Sequence, residues 1–420
     1  MPLSGASRWF LSAAIAHLAA AGILLLFEPE TLALTLRWDL WLWLVLIGFV
    51  QCSTLGFSLH LFPAVSHRLR AKGPAEGVAF LLAESGVVFG VFALSPLASG
   101  FGSEFSLAAL CDLAAIGLVL SLFVRAVLAP RLRTPGPEVR PGDSVTVPLF
   151  LVAWSAALVA AALFVLSGLS EGPGFGWWLA AVHLFVLGHA TVLIAAVSLR
   201  LTPRSLDADP PKLPVALLAG LGTVGAALVP TGMLVLTPSE PMALALFAAP
   251  EAAFAVLFVG LLAHLGVRTR RPRRQLGLHL AGVVCLLAGG GLGLWMVSAA
   301  DFGPVETHAL VNVFGFVGLT IVIMWFGMIA PFQRISHAWT RRMLWGLSAG
   351  WLAAVGVLAS AEAAGPGAQG IAIGVGGALL LAVALGWGAG TIPVLFPKLN
   401  PLPGVTGEEL RAIRDRWPRR

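Results

Sequence analysis

Residues Glu306–Pro331 read E-T-H-A-L-V-N-V-F-G-F-V-G-L-T-I-V-I-M-W-F-G-M-I-A-P. As a helix this run is long enough to cross a bilayer, yet it opens on an acid and a histidine. His308, Asn312 and Gly315 stand at i, i+4 and i+7, so they share one helix face. In lipid, a polar stripe with a small residue belongs against other helices rather than against acyl chains. Val182–Pro203, V-H-L-F-V-L-G-H-A-T-V-L-I-A-A-V-S-L-R-L-T-P, repeats the plan. It has His183 near its start, a glycine further on and a proline at its end. His183 and His308 are the expected working centre.

Outward from these two runs the chain keeps the same character. It has 420 residues, 58% hydrophobic and 11% charged, with a mean hydropathy of +0.92, which excludes a soluble globular protein. The net charge of +6 does not point to nucleic acid, because the basic residues sit in alternate loops between apolar runs. Cys52, Cys111 and Cys285 each lie in a different apolar run with no C-x-x-C spacing, and they read as small buried residues. The run after Arg8 lacks an A-x-A cleavage site and reads as a retained first span.

Twelve spans are expected: Trp9–Phe27, Asp39–Phe62, Ala75–Leu94, Phe105–Leu128, Val147–Leu169, Trp177–Leu201, Val215–Leu236, Pro241–Val267, Leu276–Ser298, Pro304–Ala330, Leu344–Ala361 and Gly370–Phe396. The fold class is thus an all-α polytopic membrane protein. Residues 1–396 form a single twelve-helix transmembrane domain and 397–420 a basic tail. Arg68, Arg70 and Lys72 follow the second span, and Arg131, Arg133 and Arg140 the fourth. Arg204 and Lys212 follow the sixth, Arg268–Arg274 the eighth, and Arg334, Arg341 and Arg342 the tenth. The opposite loops hold Glu28, Glu30, Glu104, Glu171, Glu240 and Asp301, with Arg37 their one basic residue. This asymmetry predicts both termini and the tail on the cytoplasmic side of the cell membrane. Trp38, Trp41, Trp177 and Trp178 read as anchors at the outer interface.

Spans two, six and ten look related. Each ends in a proline beside basic residues: Pro63, Pro203 and Pro331. Setting Pro63 on Pro203 brings Gly48 onto Gly188, Trp43 onto His183 and Phe49 onto His189, while the tenth span is shifted by one residue at its glycine. One pattern on every fourth helix predicts three pseudo-repeated groups of four, with a site where the repeats meet.

At this point the chain resembles the haem–copper oxidase catalytic subunit, cytochrome c oxidase subunit I and its relatives. H-A-L-V-N-V-F-G-F-V-G-L-T is similar to a run of that superfamily, H-A-H-x-N-x-x-G-x-x-G-x-T, matching at His308, Asn312, Gly315, Gly318 and Thr320. L-G-F-S-L-H-L-F-P in the second span resembles the helix ending of the nitric oxide reductase branch, and NnrS-type haem- and copper-containing membrane proteins are another relative it resembles. The resemblance implies twelve helices in three groups, with haem or copper ligands on the second, sixth and tenth. The chain departs from the pattern at several places. The motif's second histidine is Leu310, the second span has Trp43 where the sixth has His183, the seventh span has no histidine pair, and there is no tyrosine anywhere. An oxygen-reducing haem–copper centre is therefore not expected. What the resemblance leaves is a b-type haem or a copper ion bound by His183 and His308.

The residues themselves leave alternatives open. Neutral imidazole ligates haem iron and copper, but each histidine could instead hydrogen-bond a carbonyl or acid across helices. His189, six residues past His183, lies about 240° round the helix and reads as a further candidate ligand or a packing residue near the site. Asn312 and Glu306 are candidates to orient His308. His17 is a further mid-span histidine. Glu84, Asp112 and Glu251 are acids in apolar runs, each requiring a proton, a partner or water, and they suit proton relay or cation binding. A proton-coupled secondary transporter using these acids is the alternative function, and a non-catalytic scaffold a third. The expected partners are the lipid bilayer and an unidentified redox partner or small ligand, with no nucleic acid.

Overall fold

The computed structural model describes residues 5–27, 37–66, 74–95, 102–128, 141–170, 174–235, 241–269, 274–299, 301–326, 337–361 and 364–395. Pro331, the basic loop segments at 67–73 and 129–140, and the predicted tail lie outside them. Among the described residues, twelve helices are long and apolar enough to cross a membrane. In chain order they are α1 (Gly5–Phe27), α2 (37–66), α3 (Ala75–Ala93), α4 (Ser103–Leu128), α5 (Pro141–Leu169), α6 (174–206), α7 (Lys212–Val235), α8 (Pro241–Arg268), α9 (Arg274–Ala299), α10 (305–324), α11 (His337–Ala361) and α12 (Pro366–Leu395). Helices are what lipid permits, since each backbone polar group must find its partner within its own segment.

Burial separates the twelve into an inner set and an outer ring. The most apolar windows of α2, α6 and α10 are 100%, 83% and 78% buried, against 28–50% for the other nine. The outer helices pack in sequence, α3 on α4, α4 on α5, α7 on α8 and α8 on α9, with α1, α11 and α12 closing the side near α2 and α10. The inner three touch one another. An outer helix needs one protein-facing stripe, whereas an inner helix needs apolar or hydrogen-bonded residues all round.

Each inner helix contains one eight-residue π-helical stretch: Leu44–Gln51, Leu184–Thr191 and Val311–Gly318. A π turn takes up one extra residue and leaves the normal hydrogen-bond ladder locally offset. Side chains use the carbonyls there. The Gly48 carbonyl accepts from His17 Nδ1–H at 3.0 Å, Phe314 from Trp351 Nε1–H at 2.7 Å, and Val186 from the Thr191 hydroxyl at 2.9 Å. Gly48, Gly188 and Gly315 are each the fifth residue of their stretch, and Trp43, His183 and Leu310 each come just before it. Counted this way, the one-residue shift of the tenth span disappears. Each glycine admits a neighbour closely: a Cβ on Gly48 would lie 2.8 Å from His17, on Gly188 3.0 Å from Ala156, and on Gly315 2.8 Å from Cys285.

Two sequence expectations need correcting here. Pro63 and Pro203 do not end their helices: α2 runs on to Ser66 and α6 to Leu206, where Asp207 takes a left-handed conformation at φ 53°. Trp41 and Trp178 are not interfacial anchors but core residues. Trp41 lies between Trp38 and Phe314, and Phe314 packs on Trp351. Trp178 belongs with Trp43, Phe105 and Phe164. These two aromatic clusters form part of the interior.

Candidate metal centre

The two histidines singled out from sequence come together. His183, at the last α-helical position before the π stretch of α6, and His308 of α10 have ring centroids 6.3 Å apart with planes 23° from parallel. His183 Nδ1–H donates to the Leu179 carbonyl one turn back at 2.9 Å. His308 Nδ1–H donates across to the Gly289 carbonyl of α9 at 2.8 Å. A carbonyl can only accept, so both rings carry their proton on Nδ1, and the lone pair of each is on Nε2. No hydrogen bond among the described residues reaches either Nε2. Pinning one ring nitrogen to a carbonyl is how proteins fix the tautomer and aim of a ligating imidazole.

Glycines of α9 make the seat for His308. A Cβ on Gly293 would sit 2.7 Å from His308 Cε1, and one on Gly289 2.5 Å from the Asn312 amide. The G-G-G-L-G run thus lets the imidazole and Asn312 lie flat against backbone. Asn312 Nδ2 donates to the His308 carbonyl at 3.0 Å and lies 3.3 Å from Nδ1. Since Nδ1 already carries the proton given to Gly289, the carbonyl contact is the real bond.

The remaining predicted residues are distributed elsewhere. His189 does not share this site: Nδ1–H donates to Ala153 of α5 at 3.0 Å, and Nε2 lies 3.1 Å from the Thr54 hydroxyl of α2. Its ring rests on Trp154 and Phe185. With both nitrogens engaged, it ties α2, α5 and α6 together rather than facing His183. Glu306 is turned away from the imidazole pair, as a spacing of two residues dictates, and lines a cavity of about 30 Å³ with Trp38, Trp41 and Gln369. Asp112 is 1% exposed and accepts a short hydrogen bond from the Gln51 amide of α2. Glu251 packs on Gly225 of α7, and neither of its carboxyl oxygens has a hydrogen-bond partner among the described residues. Glu84 contacts His17 and Cys52, a convergence of three helices that sequence spacing could not show.

An inner triad of helices inside a ring of nine, with imidazoles from two of the three meeting, is a specific arrangement. A haem–copper terminal oxidase determined as a dimer by cryo-electron microscopy overlays 94% of this chain and 85% of its own, with a TM-score of 0.67 at 12% identity. The fold resembles that of a haem–copper terminal oxidase. At this identity the oxidase-like fold is shared and the chemistry is left to the residues. No protein-family model matches the chain, and no curated protein matches it.

A single ion bound in line by both Nε2 atoms would set the ring centres ~6 Å apart, from two ~2.0 Å bonds and ~1.1 Å from each nitrogen to its ring centre. The observed 6.3 Å centroid separation is of that size, and an iron ligated by both rings would set the same spacing. A haem between the rings would need a flat slot reaching several ångström in all directions. Here the α9 backbone lies directly beside His308 at Gly289 and Gly293.

Proposed function

We propose that this multipass protein lies in the cell membrane with both termini cytoplasmic, uses the oxidase-like fold as three pseudo-repeated four-helix groups, and holds one copper ion between His183 and His308 without reducing oxygen. The observation that carries this reading is the imidazole pair at 6.3 Å, each ring pinned through Nδ1–H with its Nε2 lone pair uncommitted. Imidazole nitrogen suits copper, and two ligands in line suit the cuprous ion, whereas zinc takes four. Such an ion supplies a one-electron couple or a cargo to be passed on. The chain's part is to hold it: Leu179 and Gly289 fix the tautomers, and Asn312 with the α9 glycines fixes the His308 ring.

The test is copper content and the absorption spectrum of protein purified in mild detergent from cells supplied with copper and haem precursors. One copper per chain, lost in His183→Ala and His308→Ala, with no Soret band, is expected. Well-folded protein that binds no copper, or a Soret band abolished by the same substitutions, would sink the reading. The proton-coupled transporter is the second reading, and the buried carboxyl of Glu251, which has no hydrogen-bond partner among the described residues, favours it. Uptake that depends on Glu251 but not on the histidines would support that one.

A further inference from the structure

We infer that His17, Cys52 and Glu84 form a second metal site, for a divalent zinc-type cation, where α1, α2 and α3 meet. Their ligand atoms all lie within 4.8 Å of one another. Glu84 is the centre: one carboxyl oxygen is 3.4 Å from His17 Nε2 and the other 3.5 Å from Cys52 Sγ. In a tetrahedral zinc site, bonds of ~2.0 Å to nitrogen and oxygen and ~2.3 Å to sulfur put N···O about 3.3 Å apart and S···O about 3.5 Å. The two observed spacings are close to these but run to different oxygens of the Glu84 carboxyl, so a small turn of that carboxyl would bring one oxygen to the ion.

The hydrogen bonding supports the assignment independently. His17 Nδ1–H is committed to the Gly48 carbonyl at 3.0 Å. A neutral His17 therefore presents a bare lone pair on Nε2 to a carboxyl oxygen, and two acceptors at 3.4 Å need a proton or a cation between them. The carbonyl that orients His17 belongs to the π stretch of α2, and Gly48 has no side chain to displace the imidazole, whose Cβ and Cγ would lie 2.8 Å from any Cβ placed there. This backbone grip on the far ring nitrogen is the usual support of a ligating histidine.

Charge selects the cation. A thiolate and a carboxylate beside a neutral imidazole carry two negative charges, which a dication neutralises in a low-dielectric interior. A monovalent ion such as cuprous copper would leave one charge unbalanced. Mixed nitrogen, sulfur and oxygen ligands suit zinc, and three protein ligands leave its fourth position open. This site shares no residue with the His183–His308 pair, so either can fail without the other.

The experiment uses the full chain in detergent, stripped with chelator and reloaded with zinc or cobalt(II). One zinc per chain is expected, and cobalt should give a thiolate-to-cobalt charge-transfer band in the near ultraviolet. The band should vanish in Cys52→Ser and persist in Cys111→Ser, Cys285→Ser and the His183→Ala/His308→Ala double variant. Glu84→Gln, which keeps the side-chain shape, should weaken zinc binding by well over ~100-fold, beyond the 10–100-fold typical of losing a supporting residue. Should Cys52→Ser not fold, the wild-type band and the Glu84→Gln titration still decide. Folded wild type that takes up cobalt with no thiolate band, or takes up none, means the cluster holds only a proton and overturns the proposal. A band removed by Cys285→Ser would also overturn it.

Discussion

Replacing Gly48 with alanine should cost the protein about 2–4 kcal/mol and loosen α1 from α2. The added methyl would come within 2.8 Å of His17 Cβ and Cγ and 3.1 Å of Nδ1. Carbon pairs prefer ~3.5–4.0 Å, so the contact is short by roughly 0.7 Å or more. The obstructing Cβ is bonded to the α1 backbone and cannot swing aside as a side-chain tip could. Overpacking of this kind costs about 1–3 kcal/mol. Pushing His17 away also stretches the 3.0 Å bond from Nδ1–H to the Gly48 carbonyl, worth about 1 kcal/mol. The control is Gly260→Ala in α8, where nothing lies within 4 Å of the new methyl, and which should gain about 0.5–1 kcal/mol from helix propensity. Reversible unfolding in mixed micelles, with tryptophan fluorescence as signal, reads both. If the two variants agree within about 0.5 kcal/mol, the close fit of α1 on the π stretch is wrong.

Three further perturbations test other parts of the account. Trp351→Phe keeps the stacking on Phe314 but removes the Nε1–H that serves the Phe314 carbonyl, and should lose about 1–2 kcal/mol in the same unfolding assay. Arg200→Ala leaves Asp143, bonded to it at 3.1 Å and 11% exposed, without that cation, and should lose about 3 kcal/mol. The double variant Arg200→Met/Asp143→Leu should recover much of this, which a non-specific packing defect would not. Glu251→Met replaces a carboxyl with no partner among the described residues and should hold or raise the unfolding free energy by about 1 kcal/mol. A clear loss there would mean that the carboxyl is engaged after all.

The reach of the sequence can be judged residue by residue. Span number and placement were legible, because crossing a bilayer demands a long apolar run and the chain supplies twelve. The pairing of His183 with His308 was legible too, since an imidazole near the start of an otherwise apolar helix has few places to go but inward. The likeness of the three inner helices was partly visible through Gly48, Gly188 and Gly315, yet counting back from the prolines misplaced the third. The common feature is a π stretch, which has no signature beyond a glycine. The aromatic interior was misread: an interfacial tryptophan and one stacked in a core look alike until their neighbours are known, as Trp41 and Trp178 show. The His17–Cys52–Glu84 cluster was the least legible. Its members are 32–67 residues apart on three helices, and Cys52 alone looks like any small apolar residue.

The central claim concerns the coordination of one ion, and X-ray absorption of the copper-loaded protein measures it. In a Cys52→Ser background, which removes the thiolate at the other cluster, the account predicts a cuprous edge of low coordination number with two imidazole nitrogens in the first shell. Those nitrogen scatterers should disappear with the copper itself in His183→Ala/His308→Ala. A first shell of sulfur, or an undiminished copper signal in the double variant, would contradict it.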